Sequence, residues 1–362
     1  MRKLLFMLLL LLTICSKAYA QLKPGFDKAE YHEMLRVCAQ IVGTPAIDAR
    51  KDLKPLHHIL AYRSEVTALD NRWDLWVHKN GKSAVISLRG TTLKSESWLE
   101  NFFAAMVPAK GKLYLSAGDT FRYKLSTDPK AAVHVGWLIG MATQAVTIVP
   151  RIDSCYKSGI KDFVIMGHSQ GGAIAYLLRS YLHYLQQKGK LPGDIQFKNY
   201  CSAAPKPGNL YYAYDYEDIT RNGWGFTVLN SEDWVPETPL SLQTINDYND
   251  VNPFKGAGEM LAKQPFPKNI VLKLVYNSMR RPAARLQRRY KKYLGDQAYK
   301  MIKGHMTELG KPEFYSSSNY MRAGTPIILK ADKGYHEKFP DSTNIFVHHF
   351  FDPYLYLLKQ YN

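Results

Sequence analysis

The chain has 362 residues, 46% of them apolar, with four cysteines and a formal net charge of +17. That length and apolar content exclude a disordered or fibrous chain and supply enough side chains for a large core. Four cysteines are too few for a disulfide framework, so the core must carry the stability.

Residues 1–20, MRKLLFMLLLLLTICSKAYA, combine the basic pair Arg2-Lys3, an apolar run and an Ala18-Tyr19-Ala20 end. This pattern predicts a signal peptide cleaved after Ala20 and therefore an exported protein. No later stretch reads as the roughly 20 apolar residues of a membrane-spanning helix. Residues 26–63 read as helices, with apolar positions at Tyr31, Leu35, Cys38 and Ile41. RWDLWVHKNGKSAVISLRG then gives two strand-like runs around Asn80-Gly81, a hairpin signal. SESWLENFFAAMVP places Trp98, Leu99, Phe102, Phe103 and Met106 on one helical face, either core or a cover that opens. Residues 132–159 suggest a helix packed on a sheet. It leads to the apolar run Phe163–Met166, a buried parallel strand. Further strands are expected near 197–201 and 225–229. Strands alternating with helices predict an α/β fold with a mainly parallel sheet, in one elaborated domain over 21–362.

The positive charge is uneven. Between Phe254 and His305 thirteen Lys and Arg face only Glu259 and Asp296. A basic, largely helical insert at about 241–335 accounts for this. In RRPAARLQRRYKKYLG, Pro282 suits a helix start and Gly295 its end, with Leu286, Tyr290, Tyr293 and Leu294 on one face. Such a helix either lies on an anionic membrane or docks on the body with a solvated basic rim. Nucleic acid is not expected as a partner of an exported chain.

Gly167-His168-Ser169-Gln170-Gly171-Gly172 separates the strand at 163–166 from a helix-like run beginning at Ala173. A nucleophile elbow needs nearly side-chain-free neighbours two residues either side of its serine, and Gly167 and Gly171 provide them. Serine is a poor nucleophile unless a base, itself held by a third group, takes its proton. On such an elbow the chain order is Ser, then Asp or Glu, then His. His183 is too far along the elbow's own helix, and His305 and His336 sit in polar segments. One of His348 and His349, in NIFVHHFFDPYLYLL, is the base. Asp233 follows an apolar strand and is the acid. The N–H of Gln170, just after the serine, is one oxyanion donor, and the loop after VISLRGTT, with Thr91, supplies the second. This chemistry needs no cofactor or metal.

Taken together, these residues resemble the class 3, fungal-lipase-like family of the α/β-hydrolases. Leu88-Arg89-Gly90-Thr91, Trp98 and Asn101, Val133-His134-Val135-Gly136, the elbow 167–172, Pro205 with Gly208-Asn209, and Asn230, Asp233, Val235 and Pro236 follow the family's order over roughly 75–240. The resemblance implies a serine esterase with Ser169 as nucleophile, Asp233 as acid and Thr91 and Gln170 as oxyanion donors. It favours His349 over His348, because the family's histidine often precedes a Tyr-Leu by five residues, as His349 precedes Tyr354-Leu355. The expected function is hydrolysis of carboxylic esters of lipid-like substrates through an acyl-enzyme. The alternatives are a phospholipase or non-lipid esterase on the same triad, or a non-catalytic binder of anionic surfaces.

Overall fold

A computed structural model of the chain describes residues 22–44, 47 and 49–361, so the expected leader lies outside the described residues. Seven strands form the central sheet, numbered here in chain order: β1 (His58–Arg63), β2 (Trp73–His78), β3 (Ser83–Leu88), β4 (Asp162–His168), β5 (Gln196–Ser202), β6 (Gly225–Asn230) and β7 (Thr325–Leu329). Their order in space is the same as along the chain. β1 to β3 pair antiparallel, and from β3 to β7 every neighbour is parallel. The hairpin at Asn80-Gly81 joins β2 to β3, with Gly81 at φ 71°.

β4 is buried throughout. On one face Ile86, Phe163 and Ile165 pack with helices α3 (Val135–Lys157) and α4 (Gln170–Gln187). On the other, Val85, Val164, Met166 and Val228 pack with Leu35 and Cys38 of α1 (Lys28–Gln40) and with Tyr354 and Leu358 of the terminal helix Phe351–Gln360. This two-sided burial explains why these strands read as apolar runs rather than alternating ones. Cys38, Cys155 and Cys201 are buried and unpaired.

Four expectations need correction. The helical reading of 26–63 holds for α1 but not for β1, a half-exposed edge strand whose partner, β2, lies beyond the reach of local periodicity. The helix α2 (Ser95–Phe102) stops at Phe102, so Phe103 and Met106 do not share its face. They enter the core from the chain that follows, while Ser97 and Glu100 are the buried residues of α2 itself. α3 is long and apolar enough to cross a membrane by length and composition. It is the central core helix of this fold, with Val135 to Ala142 wholly buried. Within the residues assigned to the insert, β7 is an integral strand of the sheet, and the helix expected to start at Pro282 instead runs from Lys268 to Lys291 through that proline. Tyr290 is buried and Leu294 half-buried against Tyr320 and Met106, so of the two readings of this face the docked one is found.

Candidate active site

The parallel register brings the carboxyl ends of the central strands together: Leu88 of β3 lies opposite Gly167 of β4, and His168 opposite Ser202 of β5. In open α/β sheets this edge is where ligands bind. Ser169 leaves β4 there with φ 59° and ψ −132°, a conformation that costs a non-glycine residue about 1–3 kcal/mol and persists only where the surroundings enforce it. They do enforce it. A Cβ on Gly167 would lie 2.1 Å from the Gly171 carbonyl oxygen, and one on Gly171 would lie 2.3 Å from that of Leu88. Gly90 serves the same approach from the next strand, since a Cβ there would meet the His168 carbonyl oxygen at 2.9 Å and Ser169 Cβ at 3.4 Å. The Arg89-Gly90-Thr91 loop is thereby pressed against the serine.

Asp233 sits in the turn after β6, almost fully buried. Its Oδ1 accepts from the Val235 N–H at 3.0 Å. Its Oδ2 accepts from His349 Nδ1 at 2.7 Å and from the Tyr354 hydroxyl at 2.8 Å. With Nδ1–H committed to a carboxylate, His349 keeps Nε2 as the basic nitrogen. The His349 carbonyl accepts from His168 Nε2 at 2.7 Å, and the two rings stand 5.0 Å apart between centroids. His168 is therefore the Nε2–H tautomer. Its Nδ1 accepts from Ser202 Oγ at 3.0 Å, and Ser202 Oγ in turn lies 2.6 Å from the Tyr31 hydroxyl. Burial, with His349 adding to it, pushes the His168 pKa down to about 3, so the ring is neutral. His348 turns elsewhere, with Nδ1 on the Tyr335 hydroxyl at 2.7 Å and Nε2 on Asp341 at 3.1 Å.

Thr91 Oγ1 donates to Gln170 Oε1 at 2.8 Å and accepts from Asn101 Nδ2 at 2.9 Å. Asn101 is held in turn by Trp137 Nε1, which donates to its Oδ1 at 2.9 Å. Gln170 is the first residue of α4, so its N–H has no intrahelical acceptor and stands beside Ser169. Behind this group lies Glu100, fully buried against Gly136 and Gly140. Burial raises its carboxyl well above the usual range, against the opposing hydrogen bonds of Asn71 and Gln170. Trp98, Trp234 and Phe346 form an aromatic cluster next to His349, with Phe346 5.5 Å from Trp234 and 5.9 Å from His349.

All five residues singled out from the sequence thus gather at one sheet edge, and His348 is set apart from them. Sequence reasoning gave no role to Tyr354, Trp137 or Glu100. Tyr354 lies five residues beyond His349, on the helix that follows it, a spacing that was visible without its purpose. Among the described residues no group of three or more His, Cys, Asp or Glu side chains is arranged to hold a metal.

Residues 85–243 match the family model of the class 3 lipases. None of the curated proteins matches the chain. Among solved structures, similarity extends to the Rhizomucor miehei lipase in its propeptide complex (19% identity over 60% of this chain and 65% of that one, TM-score 0.42). It extends also to the Lip2 lipase of Yarrowia lipolytica (17%, 60% and 76%, TM-score 0.46) and a triacylglycerol lipase of Penicillium expansum (16%, 59% and 75%, TM-score 0.43).

Proposed function

We propose that the chain, whose residues 85–243 match the family model of the class 3 lipases, is a serine carboxylic-ester hydrolase that cleaves lipid-like esters through an acyl-enzyme on Ser169. In this reading His349 Nε2 takes the Ser169 proton as Oγ attacks the ester carbonyl, and Asp233 stabilises the imidazolium that forms. The oxyanion is received by the N–H groups of Thr91 and Gln170, the Thr91 hydroxyl being engaged with Gln170 Oε1. His349 then returns the proton to the leaving alcohol, and water repeats the sequence to release the acid. The observation that carries the proposal is the pairing of an enforced positive-φ serine with an Asp233–His349 contact of 2.7 Å at the same sheet edge. An apolar acyl chain is favoured by the Trp98, Trp234 and Phe346 cluster beside the histidine. We assign to the same reading export by the leader 1–20, a single hydrolase domain over 21–362, and contact of the basic insert with an anionic lipid surface.

A panel of p-nitrophenyl esters from acetate to palmitate, beside triglyceride and phospholipid, tests the proposal. The wild-type chain is expected to favour longer acyl groups, and Ser169→Ala to lose at least about a thousandfold in kcat while staying folded. Activity of Ser169→Ala within about tenfold of wild type would end the serine-hydrolase reading.

A further inference from the structure

Tyr290 and Leu294 dock one end of the insert's long helix on the body, whereas its other end meets the short helix Ala257–Ala262 and the Phe254 carbonyl, to which the Tyr276 hydroxyl donates, without burying a residue of its own. From Gln287 onward the helix Lys268–Lys291 is tied down: Gln287 Nε2 donates to the Ser316 carbonyl, Lys291 Nζ donates to that of Phe314, and the Leu294 carbonyl just beyond accepts from Ala105. Between Lys268 and Pro282 no residue is buried. That stretch is nonetheless apolar. Leu274 and Met279 are each 66% exposed and Phe266, just before it, 80%, with Ile270, Val271 and Val275 exposed beside them. At 100° per residue these helical positions span about half the circumference, wider than the stripe a single protein groove covers.

The helix itself carries charge of one sign, while the short helix Ala257–Ala262 packed against it carries Glu259. The helix Lys268–Lys291 contains no carboxylate. Beneath Met279 a groove of about 580 Å³ lies between residues 243–248 and the helix, lined by Arg280, Arg281, Arg285, Arg288, Tyr248 and Tyr276. The ion pairs nearby, Lys130 and Lys255 with Asp250 and Lys311 with Asp296, leave Arg281, Arg285 and Arg288 without one among the described residues. A contiguous exposed apolar patch marks an interaction site, and guanidinium groups beside it match an occupant that carries both apolar chains and anionic oxygens.

We propose that Phe266 to Met279 insert into an anionic phospholipid surface while Arg281, Arg285 and Arg288 hold the phosphates of its head groups. This rests on the reading of the chain as an enzyme of lipid surfaces but not on its catalytic residues. It assigns insertion to Phe266–Met279 rather than to the Leu286, Tyr290, Tyr293 and Leu294 face suggested by the sequence, and keeps Arg285 and Arg288 as the groups that meet the head groups. Because the root of the insert, Leu294 and Gly295, contacts Ala105 just beyond α2, such binding would set the active-site edge at a fixed height above the surface.

The test is sedimentation of the mature chain with vesicles of pure phosphatidylcholine and of phosphatidylcholine mixed with phosphatidylglycerol, at low and high salt. Wild type is expected to bind the anionic vesicles at least about tenfold more tightly, with the preference weakening as salt rises. Arg281→Gln/Arg285→Gln/Arg288→Gln should lose about a hundredfold on anionic vesicles, from about fivefold for each basic group at the surface. Leu274→Ser/Met279→Ser should lose at least about tenfold on both kinds. Ser169→Ala should bind as wild type, which separates failure of this inference from failure of the catalytic one, and melting curves of the surface variants should match wild type. Equal binding to both vesicles, binding to neither, variants that bind as wild type, or a dimer in sedimentation velocity that Leu274→Ser dissolves would overturn the proposal.

Discussion

His168 links the elbow to His349 through a hydrogen bond made by its neutral ring. Its Nε2–H is spent on the His349 carbonyl, and a second proton on Nδ1 would turn the Ser202 hydroxyl from donor to acceptor and place a charge in a buried site. His134 is placed similarly, stacked on Trp137 with Nε2 on the Asn101 carbonyl, and burial pushes its pKa down to about 3 as well. Both pKa values lie below the ordinary 6.5, so the unfolded chain takes up protons that the folded chain refuses. Stability is therefore full above about pH 6.5 and drains away as pH falls toward 3, by about 2–3 kcal/mol per histidine near pH 4.5. Urea unfolding at pH 7 and near pH 4.5 reads this directly. His134→Gln, whose amide has no proton to gain in that window, should shrink the acid-induced loss by about 2 kcal/mol. An unchanged loss would mean that His134 does not titrate differently in the two states.

At the scale of elements, α2 decides how the Arg89-Gly90-Thr91 loop is backed. Its inward residues are Ser97 and Glu100, not the apolar ones that its sequence advertised, because Gly136 and Gly140 of α3 let the two helices approach until only a backbone fits between them. Phe102 is 56% exposed, whereas Phe103 is fully buried against Phe314, with ring centroids 5.9 Å apart. Phe103→Ser should therefore cost about 3–5 kcal/mol and Phe102→Ser within about 0.5 kcal/mol, measured as shifts in melting temperature. Comparable losses from both would show that α2 packs more deeply than this. The contrast marks what was legible in the sequence. The elbow, the Asn80-Gly81 hairpin and the β4 run could be read because each is written within a dozen residues. β7 could not, since its five residues are half-exposed and pair only with β6, almost a hundred residues earlier. The long helix through Pro282 was missed because proline was taken as a start signal, while a lone exposed helix reveals no buried face for periodicity to report.

Across the whole molecule, charge and chemistry are separated. The central sheet gathers Ser169, Asp233, His349, Thr91 and Gln170 on one edge, while the basic excess lies in an insert rooted beside α2. The charge pattern and the site residues were both visible in the sequence. Their spatial relation was not, because the chain after Asp233 runs out through the insert and back through β7 before the terminal helix brings Tyr354 to Asp233. The central claim is that Ser169 is the nucleophile activated by His349. Labelling with a fluorophosphonate, followed by mass spectrometry of the peptides, tests it most directly, since the reagent bonds only to a serine whose proton is drawn off. The account predicts one adduct, on Ser169, that is retained in His348→Ala and reduced by at least about a hundredfold in rate in His349→Ala. An adduct on another serine, or labelling of Ser169 that survives loss of His349 but not of His348, would contradict it.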